Sequence, residues 1–321
     1  MESKTLLVQV NKIEDEAIDI KSFVLVSADG KQLPSFIPGS HIDVHIAEGI
    51  IRQYSLCNSP DNARSYVIAV KKEAASRGGS RAMHEKIKVG DTLLIGMPRN
   101  NFSLIPEAKR HLLLGGGIGI TPLLSMARHL LATGADFELQ YFSRSVKHTA
   151  FHEIFSSPEF KGKVVFHYAL EADAVRAYLR KLLWSRPEGA HLYLCGPGSF
   201  MDQVEATAAA TWPPQTVHLE YFAADPMALA GPRDAFEVNL ARTGGTYVIP
   251  EGQSIVDVLA QHGVQITVSC EQGVCGTCLT GVLSGTPDHR DVFLSQEEKA
   301  RGDVILPCVS RCKSPKLILD L

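Results

Sequence analysis

Four cysteines in the last fifth of the chain have a spacing suited to an iron–sulfur cluster. Cys270, Cys275 and Cys278 follow the pattern C-x4-C-x2-C, and Cys308 follows at a distance. This is the ligand spacing of plant-type [2Fe-2S] centres. Two bridged irons each need two soft sulfur ligands, so four thiolates are the required number. The sequence therefore predicts a carrier of single electrons.

The loop that bears three of these cysteines is rich in glycine. Gly273 and Gly276 allow tight backbone turns that aim N–H groups at the sulfur atoms. Cys312 lies four residues beyond Cys308 and is the alternative fourth ligand. A zinc site or a disulfide cluster is the alternative to iron and sulfur, but zinc knuckles usually repeat C-x2-C pairs, whereas this chain has one uneven triplet and a singlet.

The composition is that of an ordinary globular protein. The chain has 321 residues, of which 45% are hydrophobic and 21% charged, and this length suggests two or three domains. A net charge of -3 provides no basic field for nucleic acid. Residues 1–10 lack the pattern of a secretory signal, and no apolar run of membrane-spanning length occurs. We therefore expect a soluble cytoplasmic protein with reduced cysteines, in which Cys57 and Cys195 are buried as small apolar residues.

Three segments of the chain differ in their pattern of apolar residues. Between residues 6 and 102, short strand-like runs alternate with Gly, Pro and Asn turns, which predicts a small antiparallel barrel or sandwich. Between residues 111 and 222, apolar strands alternate with helical stretches, which predicts a parallel sheet with helices on its faces. Residues 236–321 have the size of a ferredoxin. The expected domains are 1–103, 104–225 and 235–321, with an Ala-, Pro- and Gly-rich linker at 226–234.

Two motifs in the first segment together suit a flavin. The run Arg52-Gln53-Tyr54-Ser55-Leu56 ends a strand, and Gly78-Gly79-Ser80 opens a predicted helix. A tyrosine ring can lie flat on an isoalloxazine, a serine hydroxyl can hydrogen-bond its N5 edge, and an arginine can pair with a phosphate. The start of a helix also favours a phosphate. Each motif alone is more often a surface strand or a plain turn, so the prediction of a flavin site depends on their combination.

Two glycine loops in the second segment suit a dinucleotide. The residues concerned are Gly115, Gly116, Gly117, Gly119, Thr121 and Pro122 in the first loop and Cys195, Gly196 and Pro197 in the second. Each loop follows a predicted strand, at the edge where open parallel sheets bind ligands. The first loop does not match G-x-G-x-x-G, because Ile120 occupies the last glycine position. The pair of loops predicts a nicotinamide dinucleotide site, and a structural turn is the alternative for each loop alone.

One arginine leaves the choice of coenzyme open. A predicted strand ends at residues 141–145, where Arg144 stands beside Ser143. An arginine at this place can meet the 2′-phosphate of NADPH, and the segment lacks a clear acid to bind the ribose of NADH.

Over its whole length the chain resembles the phthalate dioxygenase reductase family, which includes the vanillate O-demethylase reductases. The resemblance implies an antiparallel β-barrel flavin domain, an α/β parallel-sheet nucleotide domain and an α+β ferredoxin domain of the β-grasp type. It implies FMN, NADH and a [2Fe-2S] cluster, and it carries over the flavin, nucleotide and cysteine residues named above. It also implies that Phe222 covers the flavin, with core packing as the alternative. The segment 288–291, Asp-His-Arg-Asp, matches the family as well, although we assign it no chemistry.

The three cofactors together predict a function. Nicotinamide delivers two electrons as a hydride, whereas a [2Fe-2S] centre accepts one at a time, so a flavin must stand between them. No nucleophile or catalytic triad is needed, and Ser55 is interpreted as a hydrogen-bond donor to the flavin. The resemblance implies a separate Rieske non-haem iron oxygenase as the acceptor, because the chain has no Rieske Cys-x-His motifs of its own. The alternatives are another acceptor, such as a haem monooxygenase, and a non-catalytic redox carrier or sensor.

Overall fold

A computed structural model describes residues 5–62, 64–74, 78–222 and 234–321. The chain divides into two compact units, Met1–Glu220 and Tyr221–Leu321. Of the predicted linker at 226–234, only Asp234 lies within the described residues. The predicted division at residue 103 falls inside the first unit and stays a prediction. None of the helices described is both long enough and apolar enough to cross a membrane.

The first unit begins with a seven-stranded antiparallel sheet. Its strands are β1 (Thr5–Ala17), β2 (Ile20–Ser27), β3 (Ser40–Ala47), β4 (Ile50–Ser55), β5 (Tyr66–Lys71), β6 (Thr92–Gly96) and β7 (Arg99–Asn100), with α1 (Gly79–Glu85) between β5 and β6. The strand order is β4-β3-β6-β1-β2-β5, and β7 pairs with β3. Leu56 forms an antiparallel bridge to Ile68 in β5, and the amide of Cys57 donates to the carbonyl of Val67 at 2.8 Å. These contacts bring the two ends of the sheet together and close it into a barrel.

The core of the barrel follows from the two-residue period of its strands. Ile42 and Val44 on β3 are fully buried inside the barrel, so their neighbours His41 and Asp43 project from its outer face. Met83 of α1 is also fully buried in this core. The helix α1 therefore packs its apolar face into the barrel core.

The rest of the first unit is a five-stranded parallel sheet with helices. Its elements are β8 (Arg110–Gly116), α2 (Ile120–Ala132), β9 (Phe137–Ser143), α3 (His152–Phe155), β10 (Val164–Tyr168), α4 (Ala172–Leu182), β11 (Ala190–Cys195), α5 (Gly198–Ala208) and β12 (Val217–Glu220). The order is β10-β9-β8-β11-β12, and all neighbours are parallel. The order reverses between β8 and β11, so both predicted glycine loops lie at the switch point where such sheets bind ligands.

The second unit is a mixed sheet with two helices. Its elements are β13 (Phe236–Leu240), β14 (Thr246–Ile249), α6 (Ile255–Gln261), β15 (Thr280–Ser284), β16 (Pro287–Asp288), α7 (Gln296–Arg301), β17 (Val304–Ile305), β18 (Arg311–Cys312) and β19 (Lys316–Leu319). The sheet order is β14-β13-β19-β15-β17, and β16 pairs with β18. Ser254 caps α6 by accepting a hydrogen bond from the Asp257 amide at 3.0 Å. The helix buries Ile255 and Leu259 against the sheet, which gives the α+β unit predicted for a ferredoxin.

Candidate functional site

The phosphate end of the predicted flavin site is assembled from β4 and α1. The stem of Arg52 lies over the start of α1, because a Cβ on Gly79 would be 2.7 Å from Cγ of Arg52. Gly78 has φ +98°, a conformation that favours glycine. Ser80 Oγ accepts a hydrogen bond from the Glu73 amide at 3.2 Å. The structure thus brings together an arginine and a helix start, the two groups that the sequence assigned to a phosphate.

Ser55, predicted to bind the isoalloxazine, faces an acid that the sequence analysis missed. Ser55 is buried, and its Oγ donates to Oε2 of Glu220 at 3.5 Å. Burial raises the pKa of Glu220 to about 8, although the hydrogen bond from Ser55 opposes the rise. The carboxyl group is therefore mostly protonated at pH 7. The available signal was a glutamate at the end of an apolar strand, beside the Phe222 that the sequence analysis singled out.

Three other residues assigned to the flavin lie in different surroundings. Leu56 is fully buried in the barrel core, and Tyr54 packs partly buried against the same core. Burial raises the pKa of the Tyr54 hydroxyl. Phe222 is 38% exposed and belongs to the second unit. The roles of these three side chains against a flavin stay predictions.

The two glycine loops of the parallel sheet lie directly against each other. A Cβ on Gly119 would collide with the carbonyl oxygen of Cys195, and one on Gly116 would lie 2.9 Å from Cδ of Pro197. Glycine is therefore required at both positions by contact between the loops. Gly117 is different, since it has φ +53° and a Cβ placed on it would meet no atom within 4 Å. Of these glycines, Gly117 is the one with open space beside it, as close approach of a pyrophosphate requires.

Two side-chain hydroxyl groups donate hydrogen bonds to backbone carbonyls of the glycine loop after β8. The Tyr141 hydroxyl donates to the Gly117 carbonyl at 3.1 Å, and Thr121 Oγ1 donates to the Ile118 carbonyl at 3.0 Å. Thr121 and Pro122 are both buried. These two predicted binding residues support the loop, and direct contact between them and a nucleotide stays a prediction.

Two further glycines make room for neighbouring side chains. A Cβ on Gly115 would lie 3.0 Å from Cδ1 of Ile120, and one on Gly196 would lie 2.8 Å from Cδ1 of Phe200. Both glycines therefore allow a helix to pack close to the carboxyl edge of the sheet.

Arg144 and Ser143 differ in what they present to a nucleotide. Ser143 Oγ lies 2.7 Å from Thr149 Oγ1, so this hydroxyl is engaged within the protein. Arg144 is exposed immediately after β9. Of the two residues considered for a 2′-phosphate, only the arginine is presented outward.

A residue assigned to the flavin and one assigned to the nucleotide come together near the ends of β11 and β12. Cys195 is directly paired with Glu220 in the register of β11 and β12. Its thiol is fully buried, as predicted, and burial together with the nearby Glu220 raises its pKa. The loop that begins at Cys195 thus lies beside the hydrogen bond between Glu220 and Ser55. A dinucleotide at the switch point and a flavin edge at Ser55 would be neighbours.

The four predicted cluster cysteines approach one another as two pairs. Cys270 and Cys275 form a thiol–thiol hydrogen bond, and Cys278 and Cys308 form another. The bond from Cys270 lowers the pKa of the Cys275 thiol, and the bond from Cys308 lowers that of Cys278. In the part of the chain that the structure describes, no group of three or more His, Cys, Asp or Glu surrounds a single point. Two pairs of sulfurs suit two irons with two thiolates each.

The backbone of the cluster loop supports these sulfurs as predicted. Gly273 and Gly276 have φ values of +70° and +71°. The Gln272 amide donates to the Cys270 sulfur at 3.3 Å, and the Thr277 amide donates to the Cys275 sulfur at 3.4 Å. Such N–H groups stabilise thiolates, which is the form that binds iron.

Cys312, the alternative fourth ligand, is engaged elsewhere. It is paired with Pro287 in the short β16–β18 ribbon. Its sulfur lies 3.1 Å from Ser314 Oγ and 3.5 Å from the Thr286 carbonyl oxygen. Cys308 is thus the residue that the structure places with Cys278.

The segment 288–291 braces the cluster loop. The Asp291 side chain is fully buried and accepts hydrogen bonds from the Leu294 amide at 2.9 Å and from Ser310 Oγ at 3.3 Å. The next amide, that of Val292, donates to the Gly273 carbonyl at 3.0 Å. The segment to which the sequence analysis assigned no chemistry therefore has a structural role.

Comparison with known proteins agrees with this geometry. Residues 238–313, which include all four cysteines, match the family described as 2Fe-2S iron-sulfur cluster binding domain. The chain is 49% identical over 309 residues to the vanillate O-demethylase oxidoreductase of Pseudomonas putida, covering 96% of this chain and 97% of that one. The chain belongs to the phthalate dioxygenase reductase family. The solved structure of phthalate dioxygenase reductase, described as modular for electron transfer from pyridine nucleotides to [2Fe-2S], has a TM-score of 0.79, is 39% identical and covers 99% of this chain and 98% of that one.

Membership of the phthalate dioxygenase reductase family confirms the predicted fold class of barrel, parallel-sheet and ferredoxin domains. The protein is an oxidoreductase that transfers electrons as the reductase component of an oxygenase system, with a [2Fe-2S] domain of its own. An intact type IV self-sufficient cytochrome P450 monooxygenase is also similar, with a TM-score of 0.82 and 34% identity. That match covers 99% of this chain and 41% of the monooxygenase.

Proposed function

We propose that this phthalate dioxygenase reductase family member passes electrons from NADH through FMN and its [2Fe-2S] cluster to a separate Rieske non-haem iron oxygenase. The substrate of that oxygenase is an aromatic or similar small molecule, and the system works in the cytoplasm. The observation that carries the proposal is the junction of Ser55, Glu220 and Cys195. Ser55, which we assign to the flavin, and Cys195, which we assign to the nucleotide, both contact Glu220 within one compact unit.

Different residues of the chain bind the FMN phosphate, the nucleotide and the reacting edge of the flavin. Arg52 and the start of α1 hold the phosphate of FMN, because a guanidinium and the N–H groups at a helix start both favour an anion. The loops that end β8 and β11 hold the nucleotide at the switch point. Ser55 orients the reacting edge of the flavin through its hydroxyl group.

The junction residues also keep the chemistry away from water. Ser55 and Cys195 are buried, and the protonated Glu220 holds a proton next to Ser55 without adding a negative charge. The chemistry that FMN would supply when bound is the exchange between one hydride, which carries two electrons, and single electrons. The thiolates of Cys270, Cys275, Cys278 and Cys308 hold the irons that carry those single electrons.

Reconstitution tests the proposal. Purified protein, NADH and a Rieske-type vanillate demethylase oxygenase should together convert vanillate, and acid extraction should release FMN. The Cys275→Ser variant should lose product formation but keep ferricyanide reduction at the flavin, whereas Cys312→Ser should keep both. Absence of bound flavin, or unchanged product formation by Cys275→Ser, would contradict the proposed pathway.

A second acceptor is favoured by one observation. The similarity to part of a self-sufficient cytochrome P450 monooxygenase covers nearly all of this chain. A haem monooxygenase is therefore the alternative partner. If a cytochrome P450 supports NADH-driven product formation and Rieske oxygenases do not, the haem acceptor replaces the Rieske oxygenase.

A further inference from the structure

The side chain of Phe200 lies where the two glycine loops touch each other. Phe200 is in the first turn of α5, directly after the second loop. A Cβ placed on Gly196 would be 2.8 Å from Cδ1 of Phe200, and one placed on Gly116 would be 3.1 Å from the same atom. One ring carbon therefore lies against both loops, and this close approach is possible because neither glycine has a side chain.

Phe142 packs against the other side of the Phe200 ring. The two ring centroids are 5.1 Å apart, and the rings are inclined at 49°. Phe142 is buried, and it is paired with Gly116 in the parallel register of β8 and β9. The ring that touches both loops is thus supported by a side chain from the strand beside the first loop.

A hydrogen-bond network holds the group that lies behind Phe142. The imidazole of His167 on β10 is stacked on Phe142, with the ring centroids 4.3 Å apart. His167 Nε2 lies 2.6 Å from Oε1 of the fully buried Gln140, and the Tyr178 hydroxyl donates to the same oxygen at 2.8 Å. The amide nitrogen of Gln140 donates to the Glu138 carboxylate, which fixes the orientation of the amide group. The imidazole is therefore held in place, and Phe142 has little room to move back.

The first glycine loop is supported from both faces of β9. Side chains alternate between the two faces of a strand, so Tyr141 and Phe142 point to opposite sides of the sheet. Tyr141 donates to the Gly117 carbonyl from one side, and Phe142 supports the loops through Phe200 from the other. Loops held in advance at one separation bind a diphosphate more tightly than loops that must first be ordered, because less conformational entropy is lost on binding.

We propose that Phe200 is a positioning residue of the nucleotide site, whose ring sets the separation of the two glycine loops and thereby the affinity for the diphosphate of the nicotinamide dinucleotide. The inference rests on the proposed function. Phe200 acts through the backbone of Gly116 and Gly196 and needs no contact of its own with the dinucleotide. Its loss should weaken the binding of NADH and NAD⁺ alike without slowing hydride transfer, since an interaction of equal strength in ground and transition states changes KM and not kcat.

Two variants that differ in the length of the side chain test the inference in the full holoprotein. Phe200→Leu retains δ carbons that can touch both loops, whereas Phe200→Val ends at its γ carbons. In calorimetric titration with NAD⁺, Phe200→Leu should bind within about threefold of the wild type and Phe200→Val about tenfold more weakly. The KM for NADH should follow these dissociation constants, while kcat with ferricyanide stays within about twofold of the wild type.

A glycine variant tests whether the ring acts through the loops. Gly196→Ala should weaken NAD⁺ binding about tenfold, because its methyl group would meet Cδ1 of Phe200. In the double variant with Phe200→Val this ring atom is absent, so the total loss should remain about tenfold. Independent sites would give a loss of about 100-fold. A 100-fold loss in the double variant would overturn the inference.

Phe160→Val is the matched control for a loss of stability alone. Phe160 is buried in the same unit and packs against Phe155, with the ring centroids 5.4 Å apart. This variant should lower Tm at least as much as Phe200→Val but leave the dissociation constant for NAD⁺ within about twofold of the wild type.

Three outcomes of these titrations would count against the inference or its basis. If Phe200→Val keeps the affinity of the wild type, or if Phe160→Val weakens NAD⁺ binding as much, the inference is wrong. If Phe200→Val does not fold, Gly196→Ala decides, and unchanged affinity for NAD⁺ in that variant overturns the inference. A wild-type protein that binds no NADH would instead overturn the proposed function.

Discussion

Ser55 at the end of β4 and Glu220 at the end of β12 are joined by a 3.5 Å hydrogen bond although they belong to different sheets. A second bond, from Ser125 Oγ to the Asn58 carbonyl at 2.9 Å, connects the same two parts of the first unit. The barrel and the parallel sheet therefore meet where the chemistry is expected. Substitutions at this junction should therefore lower the rate of hydride transfer more than they lower the affinity for flavin or nucleotide.

Replacement of Glu220 by glutamine should slow the enzyme. Glutamine keeps the shape and a hydrogen-bonding group for Ser55 but cannot exchange a proton. We expect NADH oxidation with ferricyanide to fall about 100-fold at pH 7, with little change in KM. Steady-state kinetics measure this loss. A Glu220→Gln enzyme with wild-type kcat would exclude a proton-holding role for this residue.

The same residue should make stability depend on pH. The carboxyl group has a pKa of 4.5 as its ordinary value and about 8 when folded, so the folded state binds more protons between these values. The stabilisation that the buried neutral form provides is complete below pH 4.5 and is lost as the pH rises through 8. Urea unfolding should therefore show Glu220→Gln gaining on the wild type between pH 5 and pH 8.5. The exposed Glu159→Gln should show no such trend.

The cluster should depend on Cys308 and not on Cys312. Because Cys308 is paired with Cys278, Cys308→Ser should remove most of the iron and the visible absorption of the cluster. Cys312→Ser should retain about two irons per chain. Iron analysis and electron paramagnetic resonance of the reduced proteins distinguish the outcomes. Retention of the cluster in Cys308→Ser, with loss in Cys312→Ser, would reverse the assignment.

A methyl group at Gly119 should damage the nucleotide site. It would meet the carbonyl of Cys195, which is backbone and cannot turn aside. Gly119→Ala should lower the free energy of unfolding by about 1–3 kcal/mol and raise the KM for NADH. Gly198→Ala at the first residue of α5 is the control, because a Cβ there has no atom within 4 Å. Equal stability of the two variants would show that the loops can separate.

Arg144 should matter for NADPH alone. It is exposed after β9, where it can pair with a 2′-phosphate but has no such partner in NADH. Arg144→Ala should lower kcat/KM for NADPH about tenfold and change that for NADH less than twofold. Comparison of both coenzymes with both proteins measures this difference. An unchanged NADPH value would remove Arg144 from coenzyme selection.

Local patterns were sufficient to predict most of the fold. The segment 6–102, predicted to hold short strands, contains β1 to β7, and the segment 111–222, predicted to alternate strands and helices, contains α2 to α5 alternating with the strands β9 to β12. Both predictions succeeded because the spacing of apolar residues and the positions of glycines are local properties of each segment. The four candidate cluster cysteines were also named from their spacing alone. Burial of Cys57 and Cys195, predicted from their isolation, is confirmed.

Features that depend on contact between distant segments were missed. Glu220 meets Ser55 only because the barrel packs against the end of β12, and no local pattern contains this distance. His41 occupies an outward position of its strand, and its burial reflects what covers that face. Cys308 was preferred over Cys312 from the sequence, but the pairing of Cys312 with Pro287 in a separate ribbon could not be read from it. The two-residue alternation of a strand predicts which side chains share a face, but it does not predict which element packs against that face.

The interlocked glycines at the switch point limit how this reductase can be redesigned. A larger residue at position 119 would displace the backbone of Cys195, and one at position 116 would press against the ring of Pro197. Laboratory evolution toward another coenzyme should accordingly leave both loops unaltered and accumulate its substitutions in the exposed turn after β9.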